Sequence, residues 1–197
     1  MNFILASASA SRKQILTAAG VPFTAIPSAV DEDRIKDELL SSGRALSNIA
    51  GALAEAKALA ISNAHPTDLV LGADQTLLFE GELISKCQDL AAARALLARL
   101  RGKAHVLAGG LALARGGKVL WRHDETSKLT MREFSNAFLD AYLAHEGEGI
   151  LGCVGCYKFE GLGSQLFAAV EGDYFSILGL PLQPLLSELR RQGVIAT

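Results

Sequence analysis

The sequence has little of what would direct a protein to a membrane, to nucleic acid or to an oxidising compartment. Its apolar runs all fall short of the roughly 20 residues that a membrane-spanning helix needs, so we expect no membrane partner. The net charge is only -2 and no segment is strongly basic, so we expect no binding to nucleic acid. Three cysteines cannot all pair with one another, which favours a reducing, cytoplasmic setting. Residues 1–6 are apolar but lack a basic segment ahead of them, and they predict a first strand in place of a signal peptide.

Motifs that identify several common enzyme classes are also missing. The loop after the first strand has neither the GxxxxGK[ST] of a P-loop nor the glycine fingerprint of a dinucleotide site, which disfavours a dinucleotide-dependent oxidoreductase. The 4 histidines are far apart in the sequence, and we assign none of them to a metal. Cys153 and Cys156 have CxxC spacing, but on a strand their odd separation would place them on opposite faces. We therefore interpret both as packing residues.

The composition and the hydrophobic pattern are typical of one globular α/β domain. Half of the residues are hydrophobic and a fifth are charged, which allows a sizeable core. There is no repeat or linker, so we expect a single domain over residues 1–197. Apolar periodicity predicts helices over 44–62, 89–101 and 136–145. It also predicts two long strands joined by a hairpin at Arg115-Gly116-Gly117.

The first loop has the layout of an anion site. Ser7 and Ser9 follow an apolar strand and precede a helical pattern, and Arg12 lies in the first helical turn. Hydroxyl groups, free backbone N–H groups and the helix dipole would all face an anion there, and an arginine can fork onto a phosphate. The alternative is an ordinary N-cap followed by an exposed basic pair.

Several acids and lysines lie where a ligand could meet them. Asp74 ends an apolar run and follows Gly72, so it is either an acid at the mouth of a pocket or a turn aspartate. The acids of residues 30–33 form either a solvated loop or a source of metal ligands. Lys57 lies near the apolar stripe of its helix, so its ammonium can reach a cleft.

Lys158 and Glu160 share a face of the strand predicted over 154–160. They are either an exposed ion pair, worth at most about 1 kcal/mol, or part of a ligand site. Together with the anion loop, the acids and the lysines, they suit the hydrolysis of a polyphosphate. Cations would hold the phosphates, carboxylates would hold a divalent cation, and one carboxylate would activate water.

The chain resembles the Maf family of nucleoside triphosphate pyrophosphatases from Ile4 to nearly its C-terminus. Six segments in the family's order carry this resemblance: LASASASR (5–12) for LASxSPxR, VDE (30–32), LAEAKA (53–58) for LAxxKA, GAD (72–74), ISK (84–86) for ILxKP, and EGD with GLPL (171–173 and 179–182). Each segment is short, but their order makes the match specific. Ala10 and Cys87 stand where the family has proline.

The resemblance implies an α/β fold with an elongated mixed sheet, flanking helices and a cleft between two lobes, as in Maf and ITPase proteins. It also implies a homodimer, a divalent cation (Mg²⁺ or Mn²⁺), and cleavage between the α- and β-phosphates. Asp74 would accept the proton of the attacking water and hold the metal with Glu32. The triphosphate would be bound by a set of hydroxyl and cationic residues: Ser7, Ser9, Arg12, Lys57 and Lys86.

Three positions bear on the choice of base: Ser11, Gln75 and Glu160. Gln75 and Glu160 resemble the branch of the family that hydrolyses 7-methyl-GTP, because the dTTP- and UTP-selective branch has threonine and glutamine there. A carboxylate such as Glu160 can accept the paired N–H donors of guanine. Ser11 replaces the family's arginine or tryptophan. We expect 7-methyl-GTP as substrate. The alternatives are a dTTP/UTP-type pyrophosphatase and a nucleotide-binding regulator of septum formation with little turnover.

Overall fold

A mixed β-sheet with seven strands forms the framework of the protein. The computed structural model describes residues 2–196. Its strands are β1 (Phe3–Leu5), β2 (Thr24–Ala25), β3 (Leu69–Phe79), β4 (Glu82–Ile84), β5 (Ala104–Arg115), β6 (Lys118–Met131) and β7 (Phe167–Glu171). They are arranged in the order β2-β1-β3-β5-β6-β7, with β4 paired to β3. β1 is parallel to β2 and β3, whereas β4 and β7 are antiparallel to the strands they pair with.

Seven helices are distributed between and after these strands within residues 2–196. They are α1 (Ala10–Ala18), α2 (Glu32–Ser41), α3 (Ile49–Ala64), α4 (Leu90–Leu100), α5 (Asn136–Glu146), α6 (Tyr174–Ile177) and α7 (Leu182–Arg191). Five of them begin at a capping side chain that accepts a backbone N–H: Ser9, Asp31, Asp89, Ser135 and Asp173. Within residues 2–196, none of the helices is both long enough and apolar enough to cross a membrane. The α/β class with a mixed sheet and flanking helices, expected from the sequence, is confirmed.

The chain divides into two compact units, and the first comprises residues 2–75, 108–125 and 173–196. Alternation along β3 separates its two faces. Leu71 and its odd-numbered neighbours pack into a core with Leu16 of α1 and Leu185 of α7. Val70, on the other face, packs with Ile61 of α3. The even-numbered residues of β3 therefore face α3.

The second unit comprises residues 76–107 and 126–172. Helices α4 and α5 are linked by an ion pair between Arg94 and Asp140, at 2.8 Å. The loop after α5 packs inward, because Tyr142 donates a hydrogen bond to the carbonyl oxygen of Cys156 at 3.2 Å. Tyr157 lies edge-on against Phe167 of β7, with ring centroids 4.9 Å apart. Buried aliphatic side chains such as Leu97 and Leu139 therefore share the core of this unit with aromatic ones.

Most of the predicted elements are confirmed. The helix over 44–62 is observed as a 3₁₀ turn (Leu46–Asn48) followed by α3, and the helices over 89–101 and 136–145 are α4 and α5. The hairpin at Gly116 and Gly117 joins β5 to β6, and both glycines have positive φ. Its prediction succeeded because glycine adopts this conformation without a steric cost.

The strand predicted over 154–160 is wrong. These residues form turns, with a hydrogen bond from the Cys156 amide to the Cys153 carbonyl at 3.1 Å and a φ of 55° at Cys156. Gly152 precedes the segment and Gly155 lies within it, and these two glycines are the sequence signal for turns. Because there is no strand here, Lys158 and Glu160 do not share a strand face. Lys158 instead pairs with Glu146, at 3.2 Å.

Candidate active site

A buried lysine joins two carboxylates in the first unit. The Nζ atom of Lys57 contacts Oδ2 of Asp74 and lies 2.7 Å from Oε1 of Glu32. Lys57 and Asp74 are 8% and 9% exposed, whereas the side chain of Glu32 is 39% exposed. The three residues come from α3, β3 and α2. The structure therefore brings together two acids and one cation that the sequence suggested separately.

The packing of α3 on β3 explains why Lys57 and Asp74 meet. Gly72 lies on the same face of β3 as Asp74, and a Cβ atom at Gly72 would be only 1.9 Å from the carbonyl oxygen of Ala54 in α3. Only glycine allows this close approach of helix to strand. Asp74 lies two residues after Gly72 on β3, and this close packing brings its carboxylate to the ammonium of Lys57.

The acids of residues 30–33 begin a helix and do not form a solvated loop. Asp31 is the N-cap of α2, and its Oδ1 accepts the amide N–H of Arg34 at 3.0 Å. Glu32 and Asp33 occupy the first turn, where the helix dipole favours negative charge. The cap fixes the position from which Glu32 reaches Lys57.

Arg12 is buried and bonded to the main chain. Its Nη1 donates to the carbonyl oxygen of Ala73 at 2.9 Å and to Oγ of Ser7 at 3.1 Å, and its Nε donates to the carbonyl oxygen of Gly179 at 2.9 Å. Burial lowers the pKa of Arg12, while the charges of Asp74 and Glu32 act to raise it. The exposed basic pair is therefore the wrong description of this residue.

Ser9 caps the helix that carries Arg12. Its Oγ accepts the amide N–H of Arg12 at 3.4 Å, and its own amide donates to Oγ of Ser7 at 3.2 Å. The N-cap alternative is thus correct for Ser9, and it coexists with the anion-loop layout. Ala10, in place of the family's proline, is the first residue of α1. Alanine is a good helix former, so this departure leaves the helix intact.

Gln75 and Ser11 are both bonded to the C-terminal end of α6 and the residue that follows it. The side-chain amide nitrogen of Gln75, Nε2, donates to the carbonyl oxygen of Ser176 at 2.8 Å and to that of Ile177 at 3.3 Å. The hydroxyl of Ser11 donates to the carbonyl oxygen of Leu178 at 2.9 Å. This role has no signal in the sequence, because it depends on main-chain carbonyl groups that every residue possesses.

Lys86 and Glu160 lie in the second unit. Lys86 is exposed in the loop between β4 and α4, and Glu160 is exposed in the turn before residues 162–166. Both act on the thiol of Cys153, whose pKa is raised mainly by burial, raised further by Glu160, and lowered by Lys158 and Lys86. The turns of this unit therefore gather Lys86 and Glu160 near Cys153. Their roles toward a nucleotide stay predictions.

The residues of the first unit suit a cation that is held only in part by protein. Among residues 2–196, no group of three or more His, Cys, Asp or Glu residues is placed to hold a metal. Two carboxylates, those of Asp74 and Glu32, converge on one ammonium. Mg²⁺ is commonly bound by one or two carboxylates together with water and substrate phosphates. This donor set fits such an ion.

Comparison with known proteins identifies the family. The Maf family profile, described as Maf-like protein, matches residues 2–192. A nucleoside triphosphate pyrophosphatase of Granulibacter bethesdensis is 51% identical over 99% of this chain and 99% of its own length. One from Maricaulis maris is 51% identical over 98% and 97%. A 7-methyl-GTP pyrophosphatase of Brucella abortus is 42% identical over 99% and 98%. The chain belongs to the Maf family.

Proposed function

We propose that the protein is a hydrolase that cleaves nucleoside triphosphates between the α- and β-phosphates. Water adds to the α-phosphorus, the α–β bridging bond breaks, and the products are a nucleoside monophosphate and pyrophosphate. The observation that carries this proposal is the buried contact of Lys57 with Asp74 and Glu32, next to the buried Arg12. The names of the relatives at 51% identity support the same reaction class.

Asp74 is the proton acceptor for the attacking water in this proposal. One carboxylate oxygen, Oδ2, contacts Lys57, and the other, Oδ1, accepts the amide N–H of Gln75 at 2.6 Å. These two contacts fix the plane of the carboxylate, so that its remaining lone pairs have a defined direction. A base held in this way contributes about 10²- to 10⁴-fold to the rate of proton transfer.

Phosphate binding is assigned to cations and hydroxyl groups around Asp74. Arg12 and Lys57 supply positive charge from the first unit, and Ser7 and Ser9 supply hydroxyl groups at the start of α1. The resemblance adds Lys86. Positive charge aimed at the leaving pyrophosphate stabilises the charge that develops in the transition state.

A divalent cation, Mg²⁺ or Mn²⁺, would be held by Asp74 and Glu32. Such an ion neutralises phosphate charge and polarises the phosphoryl group. Before it binds, Lys57 balances the two carboxylates, which explains how both acids tolerate their common position.

The proposed base is 7-methylguanine. Glu160 offers a carboxylate to the paired N–H donors of a guanine edge, and negative charge also favours a methylated, cationic purine. The name of the Brucella abortus relative, at 42% identity, supports this choice. A dTTP/UTP-type preference remains the alternative within the same reaction class.

A cytoplasmic homodimer belongs to this proposal, and light scattering of the purified protein measures its mass.

A nucleotide panel with Mg²⁺ or Mn²⁺ tests the proposal. We expect pyrophosphate and a nucleoside monophosphate, formed fastest from 7-methyl-GTP, and at least about 100-fold slower turnover in Asp74→Asn. Asp140→Asn, which alters an exposed carboxylate paired with Arg94, is the matched control. A nucleoside diphosphate and phosphate as products, or full activity in Asp74→Asn, would overturn the mechanism. Tight nucleotide binding without product under either metal would instead support the regulatory alternative.

A further inference from the structure

Four consecutive carbonyl groups, two at the C-terminal end of α6 and two just after it, accept hydrogen bonds from the side chains of Gln75, Ser11 and Arg12. We call residues 176–179 the clamp turn. The side-chain nitrogen of Gln75, Nε2, donates to the carbonyl oxygens of Ser176 and Ile177, at 2.8 and 3.3 Å. That nitrogen carries two hydrogens, so both of its donors are committed to the main chain.

The other two carbonyls of the clamp turn bind residues of α1. The hydroxyl of Ser11 donates to Leu178 at 2.9 Å, and Nε of Arg12 donates to Gly179 at 2.9 Å. Gly179 has a φ of 93°, a backbone conformation that residues other than glycine rarely adopt. This backbone conformation directs its carbonyl at the guanidinium. The clamp turn therefore connects two segments that both border the Lys57–Asp74 pair.

Asp173 holds the clamp turn from its other side. As the N-cap of α6, it accepts the amide N–H of Ser176 at 2.9 Å and the hydroxyl of Ser176 at 3.0 Å through the same Oδ1 atom. Ser176 is 5% exposed, so these bonds are shielded from water. A helix as short as α6 has little stability of its own, and its shape depends on this cap.

We propose that Asp173 is a positioning residue of the active site. It fixes the clamp turn, and the clamp turn fixes Arg12, Ser11 and Gln75. Gln75 likewise acts through the clamp turn, because its N–H donors are already used. Base discrimination then does not use the N–H donors of Gln75. This inference rests on the proposed pyrophosphatase function and adds to it a residue that is outside the set assigned above.

The position of Arg12 is the quantity that this arrangement controls. Three of its N–H groups are held by Ser7, Ala73 and Gly179, and the Gly179 bond is the one that comes from the clamp turn. Loss of that bond frees the guanidinium to tilt about the other two. A catalytic group displaced by about 1 Å commonly costs on the order of 100-fold in rate.

Two substitutions at Asp173 test the proposal. Asp173→Ala removes the acceptor, and we expect kcat/KM to fall on the order of 10- to 100-fold for every nucleotide that the enzyme hydrolyses. Asp173→Asn keeps an Oδ1 acceptor for both bonds, and we expect it to retain activity within about 3-fold. The matched control is Ser135→Ala, which removes the N-cap of α5, where Ser135 accepts the Phe138 amide at 3.1 Å. It should lower the melting temperature as Asp173→Ala does, with unchanged kinetics.

A double-mutant cycle tests the path through the clamp turn. Gln75→Met removes the amide donors with little change in volume, and it should slow all nucleotides by a similar factor. Combined with Asp173→Ala, it should cost clearly less than the product of the two single effects, because both act on the same turn. A change in the ratio of 7-methyl-GTP to dTTP turnover in Gln75→Met would show direct contact of Gln75 with the base. It would contradict the proposal that Gln75 acts through the clamp turn.

Failure of this inference is distinct from failure of the proposed function. If the wild-type protein hydrolyses no nucleotide, the readout becomes its affinity for GTP with a methylene group between the α- and β-phosphates, measured by calorimetry. Asp173→Ala must then weaken binding on the order of 10-fold or more, while Ser135→Ala must not. Unchanged kinetics or affinity in Asp173→Ala, or equal damage in Asp173→Asn, would reduce Asp173 to an ordinary helix cap.

Discussion

The ammonium of Lys57 contacts the carboxylate of Asp74, and both residues are buried. A buried ion pair contributes little net stability when it is intact, but removal of one partner leaves an uncompensated charge. The Nζ atom of Lys57 also forms an ion pair with Oε1 of Glu32, at 2.7 Å. The pair therefore couples the stability of the first unit to the chemistry of the site.

Lys57→Met should destabilise the protein on the order of 3 kcal/mol and abolish measurable turnover, because two carboxylates then face each other without a cation. Urea unfolding gives the stability, and pyrophosphate release gives the turnover. Arg94→Met breaks the exposed pair with Asp140 and should leave both stability and turnover nearly unchanged, because water screens that pair. The double variant Lys57→Met/Glu32→Gln should regain part of the stability. An equal loss in the single and double variants would contradict the charge argument.

Gly72→Ala should destabilise the protein by about 1–3 kcal/mol or more and reduce turnover, because the new methyl group meets the Ala54 carbonyl at 1.9 Å. Helix α3 must move away from β3, and Lys57 moves with it. Gly109→Ala is the control, since its nearest neighbour, the Glu125 carbonyl oxygen, is 3.8 Å away. Urea unfolding and kinetics of both variants provide the measurement. A stable and fully active Gly72→Ala would show that the close packing is not what positions Lys57.

The members of the Lys57 cluster could be selected from the sequence, but their contacts could not. Asp74, Lys57 and Arg12 stand out from sequence because each interrupts an apolar pattern or follows a hydroxyl-rich loop. That Lys57 would bridge Asp74 and Glu32 depends on how closely α3 packs on β3, which Gly72 decides. Such a distance between segments remote in sequence has no local signal.

The errors of the sequence analysis have separate physical causes. Residues 154–160 carry an alternating pattern that resembles a strand, but Cys156 adopts positive φ between glycine-containing turns. The short helix α6 was missed because a segment of 4 residues has too few turns to show periodicity. The clamp turn was missed with it, since its function lies in carbonyl groups that every residue possesses.

His105 should make stability depend on pH. It is 2% exposed, its Nε2 lies 2.7 Å from the Tyr157 hydroxyl, and burial lowers its pKa to about 4. The unfolded chain binds the proton below a pKa of about 6.5, whereas the folded protein does not until about pH 4. The contribution is therefore complete above pH 6.5 and is lost as the pH falls through this window, by about 3 kcal/mol in total.

Urea unfolding at several pH values between 7 and 4 measures this contribution. His105→Gln should be less stable at pH 7 and should lose less stability on acidification than the wild type. His145→Gln alters an exposed histidine of α5 and serves as the control, with the wild-type dependence on pH. The same pH slope in wild type and His105→Gln would show that His105 gains its proton as easily in the folded protein as in the unfolded chain.

Glu160→Gln should reverse the base preference of the enzyme. A carboxylate accepts both N–H donors of a guanine edge, whereas an amide offers one acceptor and presents N–H groups to the second donor. Charge-assisted hydrogen bonds are worth about 1.5–3 kcal/mol, so we expect kcat/KM for 7-methyl-GTP to fall about 10- to 100-fold. Turnover of dTTP and UTP, which lack that edge, should stay level or rise. Glu148→Gln, at another exposed acid of the same unit, is the control and should leave all ratios unchanged. A uniform loss over the whole panel would place Glu160 in phosphate or metal chemistry and not in base recognition.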